Sequence, residues 1–66
     1  MSKFNVGDIL RSKEPNFSDK EYVYVLILNW TEINDYATPI YTVLNFDRGI
    51  QYQWNANHVE YHYERV

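Results

Sequence analysis

YVYVLILNW, residues 22–30, is the strongest strand signal in the chain. Its residues are β-branched, aliphatic or aromatic almost throughout, and such residues favour extended structure. On a regular strand alternate residues share a face. One face then holds Val23, Val25, Ile27 and Asn29, and the other holds Tyr22, Tyr24, Leu26, Leu28 and Trp30. Both faces are apolar, whereas a strand of an isolated antiparallel sheet usually turns one side to water. This strand therefore either bends through the corner of a small barrel or exposes a contact surface.

Four further strands are predicted around this one, at residues 4–10, 40–46, 50–54 and 61–65. The polar segments 11–21 and 31–39 are rich in turn-forming residues and predict loops. Asp47-Arg48-Gly49 predicts a tight hairpin, with Gly49 in the left-handed region. Gly7 predicts either a bulge or a close backbone approach. Strands of this length, joined by two loops and one hairpin, are typical of a small antiparallel barrel.

The length of 66 residues allows one domain, spanning residues 1–66. A chain this short buries only about 60% of its unfolded surface, so its core needs reinforcement. The sequence contains no cysteine, which excludes disulfides and thiolate-bound zinc. Seven Tyr, two Trp and three Phe remain, and we expect an aromatic core, a partner subunit, or both. The start does not read as a signal peptide, and the longest apolar run is too short to span a bilayer, so we expect a cytoplasmic protein.

The charge is unevenly distributed along the chain. Residues 1–20 carry four basic and three acidic side chains, whereas residues 21–66 carry two basic and six acidic ones. A nucleic-acid-binding module normally presents a basic face, because phosphate contacts supply most of its non-specific affinity. The aromatic-rich part of this chain is its acidic part, which argues against a nucleic-acid partner.

The stretch WNANHV, residues 54–59, breaks the strand pattern. Asn55 is placed to cap a single helical turn over residues 56–58, which returns Val59 to the core. This turn resembles the 3₁₀ turn through which SH3-like barrels enter their last strand. Ala56-Asn57-His58-Val59 is similar to the Ser-Asn-Tyr-Val sequence of the peptide-binding members, and Phe4-x-Val6-Gly7-Asp8-x-Leu10 resembles the opening of KOW-like barrels.

The resemblance implies an all-β fold, a small five-stranded antiparallel SH3-like barrel with a single 3₁₀ turn before the last strand. The Ala-Leu-Tyr-Asp-Tyr stretch and the tandem tryptophans of peptide-binding SH3 domains are missing, and Asn55 stands in place of their groove proline. Of the peptide-binding residues of those domains, only the tyrosine has a counterpart in this chain, and His58 stands in its place. The chain also looks like the short barrel proteins encoded by phages, since it is rich in Asn, Tyr and Ile. We infer the fold from this resemblance, but we do not infer the function from it.

His58 and His62 raise the question of a metal site. On one continuous strand, residues four apart are separated by about 13 Å, whereas zinc–nitrogen bonds are only about 2.0–2.1 Å long. A turn before the strand at 61–65 separates the two histidines further. The sequence therefore predicts no metal and no cofactor.

The sequence predicts a non-enzymatic protein-interaction module that self-associates or binds a host protein, with no membrane partner. A Cys nucleophile and a Gly-rich phosphate loop are both missing from the sequence. The predicted contact surface is aromatic and consists of Tyr22, Tyr24, Trp30, Tyr36, Tyr41, Tyr61 and His58. The alternative function is that of a KOW-like nucleic-acid-binding barrel, with a patch formed by Lys3, Arg11, Lys13, Phe17 and Lys20.

Overall fold

The computed structural model describes residues 3–33 and 38–66, and within them the chain forms five strands and one short helix. The elements in chain order are β1 (Ile9–Ser12), β2 (Tyr24–Ile33), β3 (Thr38–Asn45), β4 (Ile50–Asn55), α1 (Ala56–His62) and β5 (Tyr63–Arg65). The strands form one antiparallel sheet in the order β4-β3-β2-β1-β5. The predicted mostly-β architecture is therefore confirmed. No helix within the described residues is long and apolar enough to cross a membrane.

The second strand contains a β-bulge that the sequence pattern did not predict. Ile27 pairs with Val43 and Asn29 pairs with Thr42, so Leu28 is an extra residue opposite β3. The bulge shifts the alternation of side chains by one position. As a result Asn29 is exposed and Trp30 packs against the core. The predicted grouping of Trp30 with Tyr22 and Tyr24 is therefore wrong.

The predicted first strand at residues 4–10 is also wrong over most of its length, because β1 begins only at Ile9. Asn5 and Asp8 close a turn instead: the Asp8 amide donates to the Asn5 carbonyl at 3.0 Å, and the Asn5 amide donates to the Asp8 carboxylate at 2.8 Å. Gly7 has a φ of +94°, a conformation that side-chain-bearing residues rarely adopt. Its amide donates to the Ile27 carbonyl at 2.8 Å. No atom lies within 4 Å of the position that a Cβ would occupy, so the positive φ and not a close backbone approach accounts for the glycine.

The β3–β4 hairpin agrees with the sequence prediction. Gly49 has a φ of +66°, in the left-handed region, and its amide donates to the Asn45 carbonyl at 2.8 Å. The Asn45 side chain accepts a further hydrogen bond of 3.1 Å from the Arg48 amide. After the turn, Tyr52 and Trp54 on β4 face the core, whereas Gln51 and Gln53 are exposed.

The single 3₁₀ turn predicted before the last strand is wrong, because α1 is a helix of seven residues. Asn55 caps it as expected, since its side chain accepts the Asn57 amide at 2.8 Å. The helix buries Ala56 and Val59, which lie three residues apart on one side of it, and it ends at His62 because Tyr63 adopts an extended conformation. Tyr61 and His62 therefore belong to the helix, and the predicted last strand at 61–65 shortens to Tyr63–Arg65.

The core lies between the inner face of the sheet and α1. Its buried side chains are Phe4, Leu10, Val25, Ile27, Tyr41, Val43, Ala56, Val59 and Tyr63. Although β4 and β5 lie at opposite ends of the strand order, the rings of Trp54 and Tyr63 approach to 5.5 Å between centroids. The two edge strands of the sheet thus contact each other through these two aromatic rings.

Candidate functional site

The face of the sheet opposite the core, here called the outer face, carries an apolar row. Ile9 pairs with Leu26, and Leu26 pairs with Leu44, so the three side chains lie side by side on β1, β2 and β3. The Val66 amide donates to the Ile9 carbonyl at 3.0 Å, which places Val66 at the end of the same row. Ile9 is 45% exposed and Val66 is 76% exposed. The row therefore presents aliphatic surface to solvent across four adjacent chain segments.

A second row lies beside the first on the outer face and is partly aromatic. Arg11 pairs with Tyr24 on one side and with Glu64 on the other. The Phe46 amide donates to the Tyr24 carbonyl at 3.2 Å, so Phe46 continues the row. Tyr24 is 40% exposed and Phe46 is 47% exposed. These rings extend the apolar surface of the first row toward the β3–β4 hairpin.

The only charged residues of the second row neutralise each other. The Arg11 guanidinium donates to the Glu64 carboxylate at 2.8 Å and stacks over the Tyr22 ring at 4.8 Å. The hydrogen bond to Glu64 is the main reason that the pKa of Arg11 is raised above its usual value. The positive charge of Arg11 and the negative charge of Glu64 cancel, so the pair adds no net charge to the surface. These two rows are therefore apolar apart from one neutralised ion pair. The outer-face positions of β4 beyond them, Gln51 and Gln53, are polar.

The structure separates the seven residues of the predicted contact surface. Tyr22 and Tyr24 are exposed beside Arg11 on the outer face, as expected. Tyr61 and His58 are exposed on α1. Tyr36 lies outside the described residues, and Trp30 packs against the core because of the bulge at Leu28.

Tyr41 was expected at the surface and is instead fully buried. Its register explains this correction, because it lies two residues from Val43 and on the same, inner face of β3. The Tyr41 hydroxyl donates to the Glu60 carboxylate at 2.9 Å and accepts the Phe4 amide at 3.2 Å. Burial raises the pKa of Tyr41, and the hydrogen bond to Glu60 raises it further. The residue connects β3 to α1 and to the N-terminal segment.

The two histidines are much closer together than a strand would allow. On α1 they are four residues apart, and their ring centroids are 4.6 Å apart. The strand geometry that argued against a shared ion is therefore wrong. Both rings line a cleft of about 710 Å³, whose other walls are Ser12, Lys13, Glu14, Tyr61 and Tyr63.

The predicted basic patch does not form one surface. Arg11 is paired with Glu64, and the Lys3 ammonium lies over the Phe4 ring at 5.8 Å. Lys13 lines the histidine cleft, whereas Phe17 and Lys20 lie together in the β1–β2 loop. This loop is closed by hydrogen bonds between the backbones of Asn16, Lys20 and Glu21, and Phe17 at its tip is 99% exposed.

The sequence interpretation missed Ile9, Leu44, Phe46 and Val66 as surface residues. The signal for Ile9 and Leu44 was present, since an apolar residue beside a buried one on a regular strand must face the other way. Leu44 follows Val43, and Ile9 precedes Leu10, in this relationship. The sequence prediction considered mainly Tyr and Trp as surface residues, whereas much of the exposed apolar surface is aliphatic.

No family model, curated protein or solved structure matches this chain.

Proposed function

We propose that this protein is a non-enzymatic interaction module that binds through the outer face of its sheet. The observation that carries the proposal is the apolar row of Ile9, Leu26, Leu44 and Val66, which lies on the side of the sheet that the core does not cover. Antiparallel sheets that face water usually alternate apolar and polar residues. A contiguous apolar patch on the water side is typical of a binding surface.

A second copy of the chain is the partner that this surface fits best. An isologous interface is self-complementary, so a neutral apolar patch matches its own copy without unpaired charges. The ion pair of Arg11 and Glu64 satisfies its own charges before any partner arrives. A stable dimer covers roughly 800 Å² on each partner, about one sixth of the 4912 Å² surface of this chain. Covering the outer face would also supply the reinforcement that so short a chain needs.

The proposed architecture is an SH3-like barrel. The approach of Trp54 on β4 to Tyr63 on β5 supports closure, because these strands are the two ends of the sheet order. The helix α1 lies between them in sequence and contributes Ala56 and Val59 to the enclosed core. The cysteine-free sequence suits a reducing compartment, and we place the protein in the cytoplasm, that of the host if a phage encodes it.

Light scattering coupled to size-exclusion chromatography tests the dimer over a range of concentrations. We expect the wild-type chain to dimerise and the double variant Ile9→Thr/Phe46→Thr, which alters one exposed residue of each row, to be monomeric at the same concentrations. Phe17→Ser is the matched control, because it removes an exposed aromatic residue away from the outer face and leaves dimerisation unchanged. A wild-type monomer at the highest concentration, or a double variant that dimerises as well as the wild type, contradicts self-association through this face.

Nucleic-acid binding remains the alternative, and the exposed Phe17 ring is the observation that favours it. Phe17 and Lys20 line one hollow of the β1–β2 loop, where a base would stack and a phosphate would pair. Glu14 lines the same hollow, and Asp19 and Glu21 are in the same loop, so its charge is mixed. Titration with a single-stranded oligonucleotide at low salt tests this alternative. Binding that Phe17→Ser weakens favours it, and the absence of binding at low salt excludes it.

A further inference from the structure

His58 and His62 form a pair of adjacent imidazoles on one side of α1. The ring centroids are 4.6 Å apart and the ring planes are inclined by 47°. Two histidines at positions i and i+4 of a helix lie on the same face, and this is the spacing with which helices present two nitrogen ligands to one ion. The spacing depends on α1 being a helix, which the capping by Asn55 and the burial of Val59 support.

The separation of the rings agrees with the geometry of a shared metal ion. Nitrogen ligands lie about 2.0–2.1 Å from zinc, so two imidazoles at angles between 90° and 110° have centroids roughly 4.5–5.2 Å apart. The observed 4.6 Å lies within this range.

The nitrogen atoms of both imidazoles are free of competing partners in the described part of the chain. The recorded contacts of His58 are with the rings of Trp54 and His62, and those of His62 are with the rings of His58 and Tyr61. The His62 carbonyl accepts the Lys13 amide at 2.8 Å, but this bond involves only backbone atoms. Both side chains are exposed and line the cleft of about 710 Å³. An ion can therefore reach the pair from solvent.

We propose that His58 and His62 together bind a divalent transition-metal ion of the zinc, nickel and copper group. Imidazole nitrogen is a preferred ligand of these ions and a poor one for magnesium or calcium. The described residues contain no group of three or more metal-binding side chains, so the remaining coordination positions are filled by water. Glu14 lines the same cleft and adds negative charge, whereas Lys13 adds an opposing positive charge. This site is independent of the outer face and of the proposed dimer.

Titration of the isotope-labelled protein with zinc chloride, followed by two-dimensional nuclear magnetic resonance, tests the proposal. We expect the resonances of His58, His62 and their neighbours on α1 to shift with zinc, and to stay unchanged with magnesium chloride. The wild-type titration locates the site directly and depends on no substitution. Shifts elsewhere in the chain, or equal shifts with magnesium, overturn the proposal.

Two variants separate chelation by the pair from binding to a single imidazole. His62→Gln removes one ligand at an exposed position and is expected to weaken zinc binding by roughly tenfold or more, because half of the protein ligands are lost. Asn57→Gln is the matched control, since it alters an exposed residue of α1 that does not line the cleft and retains both histidines. Calorimetric affinities that are equal in the wild type and in His62→Gln contradict the proposed site, and circular dichroism checks that both variants fold.

Discussion

The hydroxyl group of Tyr41 on β3 donates a hydrogen bond of 2.9 Å to the carboxylate of Glu60 on α1. The same hydroxyl accepts the backbone amide of Phe4 at 3.2 Å, and the Phe4 and Tyr41 rings lie 6.1 Å apart. The Lys3 amide also donates to the Glu60 carboxylate, at 3.3 Å. One phenol thus joins three segments that are distant in sequence: the N-terminal segment, the middle of the sheet and the helix.

Replacing Tyr41 with Phe should destabilise the fold by about 1–3 kcal/mol. The variant keeps the ring in the core but leaves the buried Phe4 amide without its acceptor, and an unsatisfied buried donor costs roughly that amount. Tyr63→Phe is the matched control, because no hydrogen bond of the Tyr63 hydroxyl is recorded among the described residues. Urea unfolding measures both variants, and equal losses of unfolding free energy in the two would show that the Tyr41 hydroxyl has no special role.

The fold should lose stability at alkaline pH through Tyr41 and Tyr63. Burial raises the pKa of both phenols, and the Glu60 hydrogen bond adds to the effect at Tyr41. A group whose folded pKa is raised contributes its full stability below the unfolded value and loses that contribution as the pH rises through the folded value. We therefore expect the unfolding free energy to decline above about pH 10. The decline should be shallower in a Tyr41→Phe/Tyr63→Phe variant, and an unchanged slope in that variant would contradict the assignment.

At acid pH, Asp8 should contribute to the loss of stability. The hydrogen bond from the Asn5 amide lowers the pKa of Asp8 below its ordinary value of 3.8, and the bond from Arg65 at 2.9 Å lowers it further. A lowered folded pKa means that the contribution is present above the unfolded value and is lost as the pH falls through the folded value. Thermal unfolding below about pH 4 should therefore show a smaller dependence on pH in Asp8→Asn than in the wild type. If the unfolding temperatures of Asp8→Asn and of the wild type fall equally steeply with decreasing pH, this role for Asp8 is excluded.

Gly49 should be the sensitive position of the β3–β4 hairpin. Its φ of +66° lies in the left-handed region, although no atom would crowd an added Cβ. Gly49→Ala is therefore expected to cost about 1 kcal/mol from backbone conformation alone. Gly49→Asn should cost less, because asparagine tolerates this region better than alanine. Chemical unfolding that ranks alanine as no worse than asparagine would contradict this explanation.

The sequence predicted those parts of the fold that depend on local chemistry. The strand character of residues 24–30, the left-handed Gly49 and the cap at Asn55 each follow from residue types whose preference is intrinsic. The bulge at Leu28 could not be predicted in this way, because both faces of β2 are apolar there and the alternation does not identify the extra residue. The position of Trp30 depended on that bulge.

The candidate sites were harder to predict than the fold because they depend on pairing between strands and on the length of α1. The outer face appears only when Ile9, Leu26 and Leu44 are known to lie in register. The sequence argues against a histidine pair because it places His58 and His62 either four apart on one strand or on the two sides of a turn. Ala56 and Val59 have a helical spacing, but over so few residues a helical and an extended pattern are difficult to distinguish.

The two charged side chains that line the histidine cleft should have opposite effects on its affinity for zinc: Lys13 should lower the affinity and Glu14 should raise it. Lys13 and Glu14 both line the cleft, and a unit charge several ångströms from a divalent ion in a solvated site changes affinity by roughly two- to fivefold. We expect Lys13→Gln to strengthen zinc binding and Glu14→Gln to weaken it, with both effects shrinking as salt is added. Lys20→Gln is the matched control, because it removes a positive charge from the same loop at a position that does not line the cleft. Calorimetry on the three variants checks the prediction, and it is wrong if Lys13→Gln and Lys20→Gln change the affinity equally.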